Sequence, residues 1–320
     1  MTKLLGAFAA FLILASNPLV ALSQYPVKPI RMVVPFPPGG AADIAGRIIA
    51  APLAQVLGQP ILIDNKSGAD GAIAGQDVMR AAPDGYTLLF ATNTGLCAAP
   101  SMRKVPPYDP IADFTPISQI GKFGFFVFVH PSVPANSLSE LLDYIRANPG
   151  KLNYGTGNST SIVTSAQLSV LERLNMMHIP YKGDAPLSAD LLAGRVQLSI
   201  ATPGTSMQHA KDGRLRVLAT LLAKRSPLAP EVPTMAEAGV PRLSISSWGG
   251  LFGPAKLPRD VVDRVARATA VVMARRDVLD QLDRIAFEGR SSSPEELGAL
   301  LKEQLGLWQK TLREVGIVPD

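Results

Sequence analysis

Cys97, His130, His178 and His209 carry the most reactive side chains in this sequence, and their spacing fits no standard covalent or metal chemistry. There is no HExxH, no acid–His spacing suited to a metal, no G-x-S-x-G elbow and no Walker loop. A Cys97–His pair assembled by the fold would make a thiol nucleophile. The simpler role for a lone Cys is that of a small buried hydrophobe. Short and side-chain-free residues offer a different chemistry. In Pro35-Phe36-Pro37-Pro38-Gly39-Gly40-Ala41-Ala42-Asp43, three prolines stiffen the backbone and two glycines let main-chain N–H groups face a ligand. A helix beginning there adds free N–H groups and a positive dipole end, which together favour an anion. The same residues also suit a plain turn between a strand and a helix. Asp43 either caps this helix or orients the glycine loop from behind, and it lies four residues before Arg47, an ion-pairing distance on a helix.

A second polar loop, Gly155-Thr156-Gly157-Asn158-Ser159-Thr160-Ser161, follows the short strand Leu152-Asn153-Tyr154. Its Gly155-x-Gly157 echoes a dinucleotide fingerprint, but Thr160 stands at the third glycine position. Ser159, Thr160 and Ser161 also suit the cap of a helix starting near Ile162.

The elements around these loops alternate. Strands are expected at 30–34, 60–63, 86–91, 125–129, 152–154, 177–181, 196–201 and 215–221. Helices are expected after Asp43 with Ile44, Ile48 and Val56 on one stripe, then over 71–82, 137–147, 162–174 and 185–192, and near 259–275, 277–285 and 294–314. Pro52 is expected to kink the first of them. This alternation implies two α/β lobes with mostly parallel sheets, and ligand groups on loops at the strands' carboxyl ends. The apolar run Phe125–Val129 and the segment Leu215–Leu221 are expected to cross between lobes, so the second lobe is inserted in the first. Small molecules bind in such interlobe clefts. Trp248 and Trp308 are assigned to packing.

Composition narrows the class. With 47% hydrophobic and 18% charged residues the chain can bury a core. Lys3 followed by apolar Leu4–Ala15 and the small residues Ala21 and Ser23 is expected to be a cleavable signal peptide over 1–23. Asn17-Pro18 interrupts the run before it reaches spanning length. Loss of the leader leaves 30 basic and 26 acidic residues, a net charge of +4. These charges are scattered and form no footprint for nucleic acid.

The first loop, read as Pro35-Phe36-x-x-Gly39-Gly40-x-x-Asp43-x-x-Gly46-Arg47, resembles that of Bug-type receptors, the periplasmic solute-binding proteins of tripartite tricarboxylate transporters. Gly46 stands where alanine is usual. Further segments resemble the family in order: Gly58-Gln59-Pro60, Asp64-Asn65-Lys66, Pro83–Leu88, Asp113–Ile117, Pro149–Gly155, Pro180–Gly183, Leu191–Val196, Gly213–Ala219 and Val232-Pro233-Thr234. The family's second loop usually continues to a His-Leu pair, whereas this chain reads Ser161-Ile162-Val163.

The resemblance implies an α/β, two-lobed periplasmic binding protein of the Venus-flytrap, type II-like kind with two interlobe crossing strands. It implies a first lobe from 24–122 and 222–320 and a second from 123–221. It further implies a monomeric receptor, without catalysis, cofactor or metal, that delivers a small carboxylate to membrane permease subunits. The ligand is expected on loop backbone groups and waters. By position the implied first-lobe contacts are Phe36, Gly39, Gly40, Ala41, Asp43, Ser67, Thr92 and Thr94. Those of the second lobe are Gly155, Thr156, Gly157, Ser159, Thr160, Ser161, Tyr181, Lys182 and Thr202. Lys182 is either a counter-ion for the ligand or an ordinary surface lysine. A secreted hydrolase or transferase using Cys97 or a His, and a receptor serving signalling, are the competing readings.

Overall fold

The computed structural model describes residues 25–319, apart from 241, 242, 244, 246 and the side chain at 205. The expected leader, 1–23, lies outside the described residues. Among the described residues no helix is long and apolar enough to cross a membrane.

The chain builds two sheets. The first is ordered β11-β4-β10-β3-β1-β2, from β1 (Ile30–Val34), β2 (Ile61–Asn65), β3 (Thr87–Thr92), β4 (Phe114–Phe123), β10 (Trp248–Pro254) and β11 (Phe287–Gly289). Strands β2, β1 and β3 run parallel, and β10 is antiparallel to both β3 and β4. The second sheet is ordered β7-β6-β8-β5-β9, from β5 (Phe126–Val129), β6 (Asn153–Thr156), β7 (Met177–Pro180), β8 (Leu198–Ala201) and β9 (Arg216–Thr220).

Helices cover both faces of each sheet. Helix α1 (Ala41–Leu57), with α8 (Arg259–Met273) and α9 (Arg276–Asp283), packs on one face of the first sheet through Ile49, Leu53, Val265, Val272 and Leu282. Helix α2 (Ala72–Met79), the single turn α3 (Ala99–Ser101) and α10 (Pro294–Glu314) cover the other face, where Trp248 and Trp308 are fully buried. On the second sheet, α4 (Leu138–Ala147) lies on one side and α6 (Asp184–Leu192) and α7 (Gly204–Lys211) on the other. Helix α5 (Ser159–Leu171) spans the two halves. Its Leu168 joins the second sheet's core, while Val163 packs among Trp248 and Trp308 in the first.

Several expectations shift. The fully buried stripe of α1 is Ala42, Ala45, Ile49 and Leu53; the expected Ile48 and Val56 pack beside it, partly buried, whereas Ile44 lies off that core. Helix α1 runs on through Pro52 to a left-handed Gly58. Strand β2 is the edge strand of this sheet among the described residues and is half-buried. The first crossing is broken at Gly124, whose N–H donates to the Ala286 carbonyl at 2.7 Å. A Cβ at Gly124 would lie 2.8 Å from that oxygen. The return differs more. Strand β9 stays at the edge of the second sheet, and the chain keeps extending that edge through Thr220 N–H to the Pro233 carbonyl and Met235 N–H to the Thr220 carbonyl. Ala229, Val232, Met235 and Val240 then pack into the second sheet's cores. Residues 222–240, expected in the first lobe, therefore lie against the second.

Candidate functional site

A cleft of about 850 Å³ opens between the two sheets, lined by loops that follow β1, β3, β6, β7 and β8. These are carboxyl ends of parallel strands, where α/β sheets leave helix N-termini and loop backbone free. Four helices begin at this cleft: α1 after Gly40, α5 after Asn158, α6 after Gly183 and α7 after Pro203. The first α1 bond runs from Ile44 N–H to the Gly40 carbonyl, and that of α5 from Ile162 N–H to the Asn158 carbonyl. The N–H groups ahead of those bonds have no acceptor within their helix. Each helix end favours a nearby anion by about 0.3–1 kcal/mol, more where partly buried.

The first loop is held from behind. Asp43, only 2% exposed, accepts the Gly39 N–H at 2.9 Å, the Asn65 amide at 3.0 Å and the Arg47 guanidinium at 3.0 Å. Asn65 also donates to the Phe36 carbonyl at 3.0 Å. Burial pushes the Asp43 carboxyl up, but the Arg47, Gly39 and Asn65 donors outweigh it and hold it below the ordinary carboxylate range. Asp43 thus shapes the first loop without lining the cleft. Gly39 sits at φ +80°, a conformation that a side chain resists.

On the floor, Thr160 at the start of α5 meets the end of β3. Its Oγ1 accepts from the Asn93 amide at 2.9 Å and lies 3.3 Å from Thr94 Oγ1. In the second half, Asp184 takes the Thr202 hydroxyl at 2.5 Å and the Asn158 amide at 3.2 Å. Gly157 lets these loops meet, since a Cβ there would lie 2.3 Å from Asp184 Oδ1. The walls are apolar, with Phe36, Phe123, Phe125, Met207, Leu228 and Ile285, and an adjoining chamber of about 260 Å³ shares Phe123, Phe125, Thr160 and Ser247.

Of the residues expected at the site, Phe36, Gly39, Gly40, Ala41, Thr92, Thr94, Gly157, Thr160, Lys182 and Thr202 line the cleft. Seven do not. Asp43 lies behind the first loop. Ser67 is exposed away from the cleft. Gly155 makes room for Leu187. The Thr156 hydroxyl is engaged by His178 at 2.7 Å, and Tyr181 donates to Asp190 at 2.9 Å. Ser159 donates to Asp70 at 2.7 Å, and buried Ser161 is tied to Asn158 by its N–H at 3.0 Å. Asn158 is therefore the helix cap, in place of Ser159–Ser161, and α5 starts three residues earlier than expected. Sequence reasoning missed Asn93, Asn158, Asp184, Ser206 and Arg284 in the lining. Asn93 and Asn158 were legible as polar neighbours of expected contacts; Asp184 carries the charge an anion site would exclude. Cys97 is fully buried, and burial pushes its thiol far above its ordinary value. Among the described residues no group of three His, Cys, Asp or Glu could hold a metal.

Residues 45–317 match the family described as TctC, the tripartite tricarboxylate transporter family receptor. Protein BugT of Bordetella pertussis is 31% identical, over 99% of this chain and 98% of its own. A Rhodopseudomonas palustris protein, Rpa4515, solved with adipate, is 32% identical with a TM-score of 0.85 and covers 92% of this chain and 100% of its own. MatC of the same organism, solved with bound malate, is 29% identical with a TM-score of 0.79 and covers 90% of this chain and 100% of its own. The two-sheet α/β architecture and the family match agree: this chain belongs to the TctC family of Bug-type periplasmic receptors and is a solute receptor, not an enzyme.

Proposed function

We propose that the chain binds a small carboxylate in the interlobe cleft, as a monomer in the periplasm, and delivers it to the permease of a tripartite tricarboxylate-type transporter. The convergence of four helix N-termini on one cleft carries this reading. Such ends hold a carboxylate through backbone N–H groups and water, and the lining includes no buried arginine. The adipate and malate of the two similar structures are carboxylates of a size this cleft admits. A ligand touching both halves stabilises the closed form over the open one, and the permease then reads closure. The leader over 1–23 supplies the route to the periplasm.

The test is a thermal-shift screen of ligand-free protein, residues 24–320, against a panel of carboxylates. An acid present at a hundred times its dissociation constant adds about 2.7 kcal/mol of stability. It is expected to be recovered unchanged. A panel with no shift, or an acid that is consumed, overturns the reading.

A further inference from the structure

Asp184 is the one acidic side chain among the described residues lining the cleft, and among those residues it has no ion-pair partner. The lining cations, Lys182, Lys211 and Arg284, are exposed. Three loops fix the Asp184 carboxylate. Thr202, after β8, donates its hydroxyl to Oδ2 at 2.5 Å; Asn158, after β6, donates its amide to Oδ1 at 3.2 Å; and Asp184 itself opens α6 after β7. Gly157 leaves the room for Oδ1, so the position is sterically committed to this group. Burial disfavours its charge, and the Thr202 and Asn158 donors oppose that effect only in part.

A carboxylate fixed in an anion-attracting cleft has a chemical consequence. Burial disfavours its charge until a cation stands beside it, so an ammonium on the ligand gains a rigid, desolvated partner that a second carboxylate does not. The apolar side chains Phe123, Phe125, Met207 and Leu228 along the wall suit a methylene spacer between two polar ends. We infer that Asp184 selects zwitterionic solutes, with the carboxylate on the N-terminus of α1 in the first half and an ammonium on Asp184 in the second. This rests on the receptor reading above and narrows its ligand class.

Matched pairs test it: 4-aminobutanoate against glutarate, and 5-aminopentanoate against adipate, titrated calorimetrically into ligand-free wild type and Asp184→Asn. In the wild type an amino acid of the series is expected to bind at least about tenfold tighter than its dicarboxylate twin. Asp184→Asn is expected to erase or reverse that ratio while the melting temperature stays near wild type; a purely structural tie would weaken both ligands together. Wild-type preference for the dicarboxylates overturns the inference without any variant, and so does a ratio unchanged by the substitution. If neither amino acid binds while another carboxylate of the panel does, this inference fails and the receptor reading stands. If no carboxylate binds, both fail.

Discussion

The Ser159 hydroxyl, at the start of α5, donates to the Asp70 carboxylate across the two halves at 2.7 Å. Beside it, Thr160 accepts from Asn93, and Val163 is buried in the first sheet's core. Helix α5 is thus the element through which the second half grips the first, and its first turn also floors the cleft. Thr160 thus both lines the cleft and joins the two halves.

Thr160→Val removes the acceptor of Asn93, whose side chain is 1% exposed. It is expected to cost about 1–3 kcal/mol by chemical denaturation and to weaken carboxylate binding. Ser159→Ala is expected to cost less, because exposed Asp70 recovers water.

Gly39→Ala places a side chain at φ +80° with nothing within 4 Å of its Cβ. The loss of about 1–2 kcal/mol is then one of backbone conformation and not of packing. Gly40 has an ordinary φ of −73°, and its Cβ would sit 3.3 Å from the Pro37 carbonyl oxygen. Gly40→Ala is expected to be milder on the same denaturation curves.

Asp43 gives a pH signature. Its folded carboxyl lies below the unfolded value of about 3.9, so its stabilisation is present above that value and lost as pH falls through the folded one. Asp43→Asn is expected to lose about 2 kcal/mol at pH 7. The wild-type and variant stabilities should begin to converge only as the pH falls below about 4 and continue to do so through the folded value, as urea titrations from pH 7 down to about 2 will show.

Much of this was legible in sequence because local rules agreed with the global fold. Ile30–Val34, Leu138–Ala147 and Pro294–Glu314 form where the pattern puts them. The turn at Gly39 and Gly40 into α1 was legible from glycine and proline alone. What failed depended on tertiary contact. Thr156 and Tyr181 point to partners, His178 and Asp190, that no spacing rule links to them. The 222–240 segment carries no periodic signal and takes its place from an open sheet edge at β9. Asp184 escaped because charge argued against it, while Thr202, Asn158 and Gly157, which make its position tenable, come from other loops.

Cys97 is expected to be inert. A thiol reagent at pH 8 should label it only in denaturant, because burial both hides the sulfur and disfavours the thiolate. Cys97→Ala should leave carboxylate affinity unchanged in titration.

The central claim is that helix N-termini in this cleft hold the carboxylate. A crystal structure of residues 24–320 with the tightest acid of the panel tests it most directly. The account predicts one carboxylate group between the first turns of α1 and α5, bound through main-chain N–H groups of Ala41, Ala42 or Thr160 or one water away from them. An acid bound outside the cleft, or held there by side-chain cations with those N–H groups unused, would contradict it.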